Sequence, residues 1–173
     1  LSVADVKTLK EKSPKVNFIY DFDLFGKRVS TTDTEVSYQW VPIGNEGEEA
    51  IRNALYIFND CHYFLLDDCG IDNEIMDGIR NDFPDTNVVW RIHVGTRSAL
   101  TDDQVIRMTH GINDSMTEDL KYCHEVVYMD LGHDSGITDI SFIQYMPKLE
   151  CIMLSDAKMT DITPLSYCHN LTW

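Results

Sequence analysis

Four polar side chains, on two stretches of alternating sequence, could do acid–base chemistry. Asp21 and Asp23 lie in FIYDFDLF, and Arg91 and His93 lie in VVWRIHV, always between apolar neighbours. Two carboxylates beside an imidazole suit general acid–base catalysis, so a hydrolase using Asp21, Asp23 and His93 is one hypothesis. Such groups must converge in a pocket, which a flat sheet face does not supply. We therefore favour charge pairing between the strands, and predict that the protein is not an enzyme.

Two further sets of side chains have the composition of metal ligands. The dipeptide Cys-His begins at Cys61, Cys123 and Cys168, each time just before an apolar stretch. No C-x-x-C pair accompanies them, and successive residues of a strand point to opposite faces. We expect buried thiols and outward histidines here, and no metal.

The acidic stretch DDCGIDNE, residues 67–74, offers four carboxylates in close succession. It lacks the alternating acids and final glutamate of an EF-hand loop, and its aspartates suit a turn and a helix start. Calcium binding there stays an open alternative. The sequence contains no phosphate-binding glycine loop, dinucleotide fingerprint, zinc-protease motif or nucleophile elbow, so no cofactor is predicted.

The charge balance limits the kinds of partner. The 173 residues include 29 acids and 14 lysines or arginines, which gives a net charge of −15. Phosphate backbones are bound through clustered cations, which this sequence lacks, so nucleic acid and anionic membrane surfaces are not expected partners. No run of ~18 apolar residues occurs, which predicts no membrane insertion in this segment.

The elements that would position the four polar side chains belong to an internal repeat, which we call the long repeat. LKEKSPKVNFIYDFDLFG begins at Leu9, and IRNDFPDTNVVWRIHVGT begins at Ile79. Each copy predicts a helix that ends near a proline, Pro14 or Pro84, followed by an alternating strand. If the two strands are neighbours, their opposite charges favour the register by about 0.2–1 kcal/mol per pair.

Helix signals recur between and after the two copies. Asn45 is the predicted cap of a helix over about 46–59, and a second helix is expected over 73–83. Residues 105–108 are expected to be helix-like or turn-like, and Ser115 begins a capping box for residues 115–122. Alternating helices and strands predict the α/β class.

A shorter repeat occupies the carboxyl-terminal part of the sequence. ITDISFI covers 137–143 and MTDITPL covers 159–165, so Thr138 of the first copy corresponds to Thr160 of the second. Apolar residues at steps of two and then three predict a short strand followed by a 3₁₀-like return segment. Repetition at such a short period is typical of stacked coils.

This pattern resembles the leucine-rich repeat family in its short, internalin-like bacterial form, in which T-D-I-x-P-L recurs. The likeness is specific over 123–173 and weaker at 61–71, and Ala157 stands where the family has a buried asparagine. The resemblance implies an α/β leucine-rich repeat solenoid, a curved and mostly parallel sheet with an α/β amino-terminal cap. The cap would cover 1–110, and the repeats 111–173, truncated at the carboxyl end.

In this family the outward strand positions line a concave face that binds a macromolecule. The resemblance therefore implies a non-catalytic module that binds a protein or a glycan, within a bacterial surface or secreted protein. A purely structural spacer is a further alternative, and the uncapped carboxyl-terminal strand edge is expected to self-associate. The repeat register predicts as binding residues Tyr63, Leu65, Asp67, Asp68, Tyr128, Asp130, His133, Met153, Ser155 and Asp156.

Overall fold

The structure is a computed structural model, and it describes residues 2–172. The α-helices are α1 (Val3–Lys12), α2 (Glu48–Ile57), α3 (Asn73–Asp82) and α4 (Asp114–Thr117). The strands are β1 (Asp21–Leu24), β2 (Lys27–Ser30), β3 (Glu35–Gln39), β4 (Tyr63–Asp67), β5 (Asn87–Val94), β6 (Arg97–Leu100), β7 (Val105–Arg107), β8 (Tyr128–Asp130) and β9 (Cys151–Met153). The 3₁₀ helices are Asn45–Gly47, Glu118–Tyr122, Ser141–Tyr145 and Thr163–Tyr167.

The strands form three separate sheets. β1 and β2 make an antiparallel pair, β3 to β6 form a mixed sheet in chain order, and β7 to β9 form a parallel sheet. The chain divides into two compact units, Leu1–Trp90 and Arg91–Trp173, and the division falls inside β5. The α/β class is confirmed.

The predicted leucine-rich repeat solenoid, with one curved and mostly parallel sheet, is wrong. Antiparallel hairpins at β1–β2 and β5–β6 interrupt the parallel strand pairing. The first hairpin turns through Phe25 and Gly26, with φ of 50° and 78°, and the second turns at Gly95, with φ of 62°. Two-residue turns with positive φ match the twist of a hairpin, so each strand takes its near neighbour as partner instead of the next repeat.

The predicted pairing between the polar faces of the two alternating strands is also wrong. β1 pairs with β2, whereas β5 pairs with β4 and β6, so the two strands are not neighbours in any sheet. Asp21 lies 3.7 Å from Arg28 across its own hairpin, and Arg91 donates to Ser98 Oγ at 3.1 Å. Closing a short hairpin loop costs less chain entropy than closing a long one, which favours these local partners.

The long repeat is confirmed by the order of the elements. α1 begins at Val3 and α3 at Asn73, and β3 begins at Glu35 and β7 at Val105, so both pairs have the offset that separates Leu9 from Ile79. A turn of the same kind follows each hairpin. Asp33 accepts the Ser30 N–H in the first turn, and Asp103 accepts the Leu100 N–H in the second, each at 2.8 Å. The repeat thus places two similar strand ends, after β3 and after β7.

Two predicted helices are confirmed and one short segment is not. The 3₁₀ helix Asn45–Gly47 and α2 occupy most of 46–59, and α3 occupies 73–83 except its last residue. Residues 105–107 are strand β7, so the helix-like or turn-like interpretation of 105–108 is wrong. A very short apolar run has no periodicity that distinguishes strand from helix, and pairing with β8 decides it.

Two predicted helix caps are wrong. The Asn45 side chain donates to Asp72 Oδ2 at 2.7 Å and accepts the Asp72 N–H at 2.8 Å, and α2 has no side-chain cap. Asn113, not Ser115, caps α4, because its Oδ1 accepts the Ser115 N–H at 3.0 Å. Asparagine is favoured in such turns, because its side-chain amide can form a hydrogen bond with the main chain two residues further on.

The aspartate of each repeated Thr-Asp pair bonds the first residue of the 3₁₀ helix that follows it. Asp139 Oδ1 accepts the Ser141 N–H and Asp161 Oδ1 accepts the Thr163 N–H, both at 2.8 Å. Each bond satisfies a donor that the first turn leaves unbonded. The two copies differ in burial, since Ile140 is 1% exposed and Ile162 is 63% exposed.

The cysteines are free, and all but Cys151 are buried. Cys61 is buried while the neighbouring His62 side chain is exposed, as the alternation predicts. Cys123 and Cys168 are buried as well, so the predicted inward thiols are confirmed. Within residues 2–172, none of the helices has the length and apolar character to cross a membrane.

Candidate functional site

The outward side of the β7–β9 sheet brings together much of the predicted binding set. The three strands are parallel and in register, and their central residues Ile106 and Met129 are buried. Alternation therefore turns the first and third residues of each strand to the other side. We call β7–β9 face the surface formed by Arg107, Tyr128, Asp130, Met153 and the following loop residues His133, Ser155 and Asp156.

Tyr128 lies at the centre of this face. The Arg107 guanidinium lies 5.0 Å from the centroid of the Tyr128 ring, and the Tyr128 hydroxyl donates to Met153 Sδ at 3.1 Å. These contacts restrain an aromatic ring that is only half-buried. A restrained aromatic side chain loses little conformational entropy on binding.

Asp130 is positioned by the turn that follows β8. Its Oδ1 accepts the Gly132 N–H at 3.0 Å. A Cβ at Gly132 would lie 2.6 Å from Ser155 Oγ and 3.1 Å from that same Oδ1. A side chain at position 132 would therefore displace the Ser155 hydroxyl and crowd the Asp130 carboxylate.

Two histidines and an aspartate form a row along the carboxyl-terminal edge of the sheet. His110, His133 and Asp156 follow β7, β8 and β9 at equal intervals along the chain, with φ of 69°, 65° and 69°. The His110 and His133 rings stack with centroids 5.1 Å apart, and His133 Nδ1 lies 3.2 Å from Asp156 Oδ2. Their side chains are accessible, since those of His133 and Asp156 are 60% and 67% exposed.

A buried carboxylate holds this edge in place. Asp134 is 3% exposed and accepts the N–H groups of His110 and Ile112, both at 2.9 Å. The His133 N–H donates to the Ser155 carbonyl at 2.8 Å, which ties the second loop to the third. Two hydrogen bonds from one buried side chain therefore hold the left-handed loop at His110 in place.

An open groove of about 580 Å³ lies beside these residues. Asp130 and His133 supply charge or polarity on its walls, and Ile152, Met153 and Leu154 supply apolar surface. Apolar lining with a few fixed polar groups is typical of binding sites. The lining residues are Thr109, Asp130, His133, Ile152, Met153, Leu154 and Ser155.

The earlier predicted residues do not belong to this face. Tyr63, Leu65 and Asp67 are on β4, which lies in the mixed sheet, and Asp68 follows it. Leu65 and Asp67 are 8% and 3% exposed, so their prediction as presented binding residues is wrong. β4 runs between β3 and β5, and a central strand is commonly covered on both sides.

The geometry gives little support to the catalytic and metal-binding alternatives. Asp21 and Asp23 are exposed on β1, and His93 is exposed on β5, which is in another sheet. Within residues 2–172 no group of three or more His, Cys, Asp or Glu side chains is arranged to hold a metal ion. In the acidic stretch 67–74, Asp72 is engaged by Asn45.

Three residues of the site were missed from the sequence. Arg107 lies within 105–108, the segment predicted to be helix-like or turn-like, and His110 follows it. Asp134 lies in a glycine-rich turn. The equal spacing of His110, His133 and Asp156 was a usable signal, because equal spacing places residues side by side in parallel strands.

No protein-family model matches this chain, and no curated protein sequence matches it. The leucine-rich repeat resemblance stays a prediction, as do the cell-surface location and the self-association that it implies. The function is therefore argued from the β7–β9 face itself.

Proposed function

We propose that the protein is a non-catalytic binding module and that its β7–β9 face binds a segment of another protein. The supporting observation is that Asp130, His133, Met153 and Ser155 line one groove. Tyr128 bonds Met153 and Asp156 bonds His133 beside it. These six residues are among those that the repeat register and the leucine-rich repeat resemblance predict to bind a partner.

The composition of the face suits a protein partner. Tyrosine, methionine and arginine are enriched in the centres of protein interfaces, and Tyr128, Met153 and Arg107 lie adjacent here. Asp130 and Asp156 add acidity on a chain of net charge −15. A segment that combines an apolar side chain with a basic one is the complementary ligand.

Selection from a displayed library of random peptides tests the proposal. Peptides selected on the whole chain are expected to lose about tenfold or more in affinity with Tyr128→Ala or Asp130→Ala, because central aromatic and acidic anchors dominate interface energies. Tyr167→Ala is the matched control, since Tyr167 is 54% exposed and lies outside the face. Selected peptides that bind all variants equally would show that this face is not the site, and failure to select any would favour the structural spacer.

A further inference from the structure

A second exposed surface lies in the first unit, at the ends of β3 and β4. Trp40 directly follows β3, and its side chain is 74% exposed. Within residues 2–172 the structure records no hydrogen bond or ring contact of its indole. The backbone at Trp40 has φ of 55°, an uncommon conformation for a bulky residue, and its N–H donates to the Asp67 carbonyl at 2.9 Å. The ring is thus held out from the surface by a fixed main chain.

The loops that follow β3 and β4 are bonded into one platform. The N–H groups of Ile43 and Gly44 both donate to the Cys69 carbonyl at 3.0 Å. The reciprocal bonds between Asn45 and Asp72, at 2.7 and 2.8 Å, join the same loops further on. A platform with this many cross-links loses little entropy when a partner binds.

Asp68 is the neighbour of Trp40 on this platform. Gln39 and Asp67 are paired at the ends of β3 and β4. Trp40 directly follows β3, and Asp68 directly follows β4. Both have positive φ, 55° and 52°, and both are exposed. Paired strands run about 4.8 Å apart, so the indole and the carboxylate rise from adjacent points.

The two loops carry charge of one sign, while the nearest cation that bonds β3 is Lys27, whose Nζ donates to the Ser37 carbonyl at 3.3 Å. The two loops, 40–47 and 67–74, contain five acids and no lysine or arginine. Of these acids Asp67 is buried, whereas Glu46, Asp68 and Asp72 are exposed. An indole face and carboxylates both attract a cation, the first through its π electrons and the second through charge.

We propose that Trp40 and the two loops dock a lysine or arginine side chain of a partner polypeptide. Tryptophan is the best aromatic partner for a cation and is enriched in interface hot spots. The neighbouring carboxylates supply the complementary charge that selects a basic side chain over a neutral one. This site uses only residues of the first unit and does not depend on the β7–β9 face.

Nuclear magnetic resonance of the whole chain tests the docking site. The indole N–H signal of Trp40 is assigned by its loss in Trp40→Phe and followed while the peptide acetyl-Gly-Ser-Arg-Ser-Gly-amide is added. We expect this signal to shift with the arginine peptide and to stay in place with the peptide that has citrulline instead. The Trp90 signal is the internal control, because that residue is 2% exposed and its Nε1–H donates to Asn73 Oδ1 at 2.9 Å.

Matched charge variants separate docking from general attraction to an acidic protein. Asp68→Asn and Glu11→Gln remove the same charge, and asparagine tolerates the positive φ of position 68. Binding to the variants is followed through the backbone amide signals of residues 67–74. We expect Trp40→Ala to weaken binding about fivefold or more, Asp68→Asn to weaken it by a smaller factor, and Glu11→Gln to leave it unchanged. An unmoved Trp40 signal, equal response to citrulline, or equal effects of the two charge variants would each overturn the proposal.

Discussion

Single buried polar side chains determine where the loops of this protein lie. Thr31 is fully buried, and its hydroxyl donates to the Phe18 carbonyl at 2.5 Å and accepts the Tyr20 N–H at 3.0 Å. Asp134 does the same for the loop of His110. In each case one side chain bonds two main-chain groups, so its loss removes two hydrogen bonds, although the Phe18 carbonyl still accepts the Asn59 side-chain amide at 3.0 Å.

Thr31→Val is therefore expected to destabilise the fold by about 1–3 kcal/mol, because valine has the same shape but loses the hydrogen bonds that the Thr31 hydroxyl makes with the Phe18 carbonyl and the Tyr20 N–H. The measurement is the free energy of unfolding in urea. Thr32→Val is the control, since Thr32 is exposed and should change the value by less than about 0.5 kcal/mol. Equal effects of the two substitutions would show that the hydroxyl of Thr31 contributes nothing specific.

At the scale of elements, one carboxylate connects α4 to the segment that follows β8. Asp114, in α4, accepts the Thr138 hydroxyl at 2.6 Å and the N–H groups of Thr138 and Asp139 at 2.8 and 3.0 Å. Partial burial acts to raise the pKa of Asp114, but these hydrogen bonds outweigh it and hold the pKa below its ordinary value of 3.8. The ionised form is therefore favoured by folding.

This connection should make stability depend on pH. A carboxyl whose pKa is lowered by folding stabilises the protein above the ordinary pKa, and the contribution is lost as pH falls through the lowered value. Between pH 7 and about pH 3, the urea midpoint of the wild type should fall further than that of Asp114→Asn. Glu11→Gln should keep the wild-type dependence of the urea midpoint on pH. The Glu11 carboxyl is exposed and makes no recorded hydrogen bond within residues 2–172. A wild-type profile for Asp114→Asn would contradict the assignment.

The duplicated elements show how one backbone presents different side chains. Trp40 and His110 are equivalent positions of the long repeat, and both have the left-handed conformation after an equivalent strand. The first copy offers an indole beside acids, and the second offers stacked imidazoles beside a carboxylate. The repeat therefore preserves the geometry of the strand end while the residue at that position changes.

At the scale of the whole molecule, the boundary between the two compact units falls inside β5. Its residues 87–90 pair with β4, and its residues 91–94 pair with β6. Because the boundary interrupts one continuous strand and not a linker, we expect the units to unfold together. The predicted parts 1–110 and 111–173 stay a prediction about domains.

Two buried cysteines can report on this coupling. Cys61 lies in the first unit and Cys123 in the second, and burial raises the pKa of the Cys61 thiol to about 11, which suppresses its reaction in the folded state. Pulsed alkylation with iodoacetamide across a urea series, read by peptide mass spectrometry, should give one midpoint for both thiols. Half-buried Cys151 serves as the control for labelling of the folded protein. Two separate midpoints would show independent units.

The sequence by itself determined the features that depend on local or periodic signals. The long repeat, the positions of α2 and α3, the inward cysteines and the carboxyl-terminal members of the candidate site could all be predicted from it. The first three follow from side-chain spacing along a helix or strand, which the chain carries without reference to distant partners. The site residues follow from that spacing together with the leucine-rich repeat resemblance.

Only the tertiary structure decided which strands pair and which side chains reach solvent. The hairpins divided the expected single sheet into three, covered Leu65 and Asp67, and left Trp40 exposed. Stacked His110 and His133, fixed by Asp134, depend on the register of three strands. A strand has the same alternation whichever neighbour it takes, so its partner is set by turn geometry and burial across the whole chain.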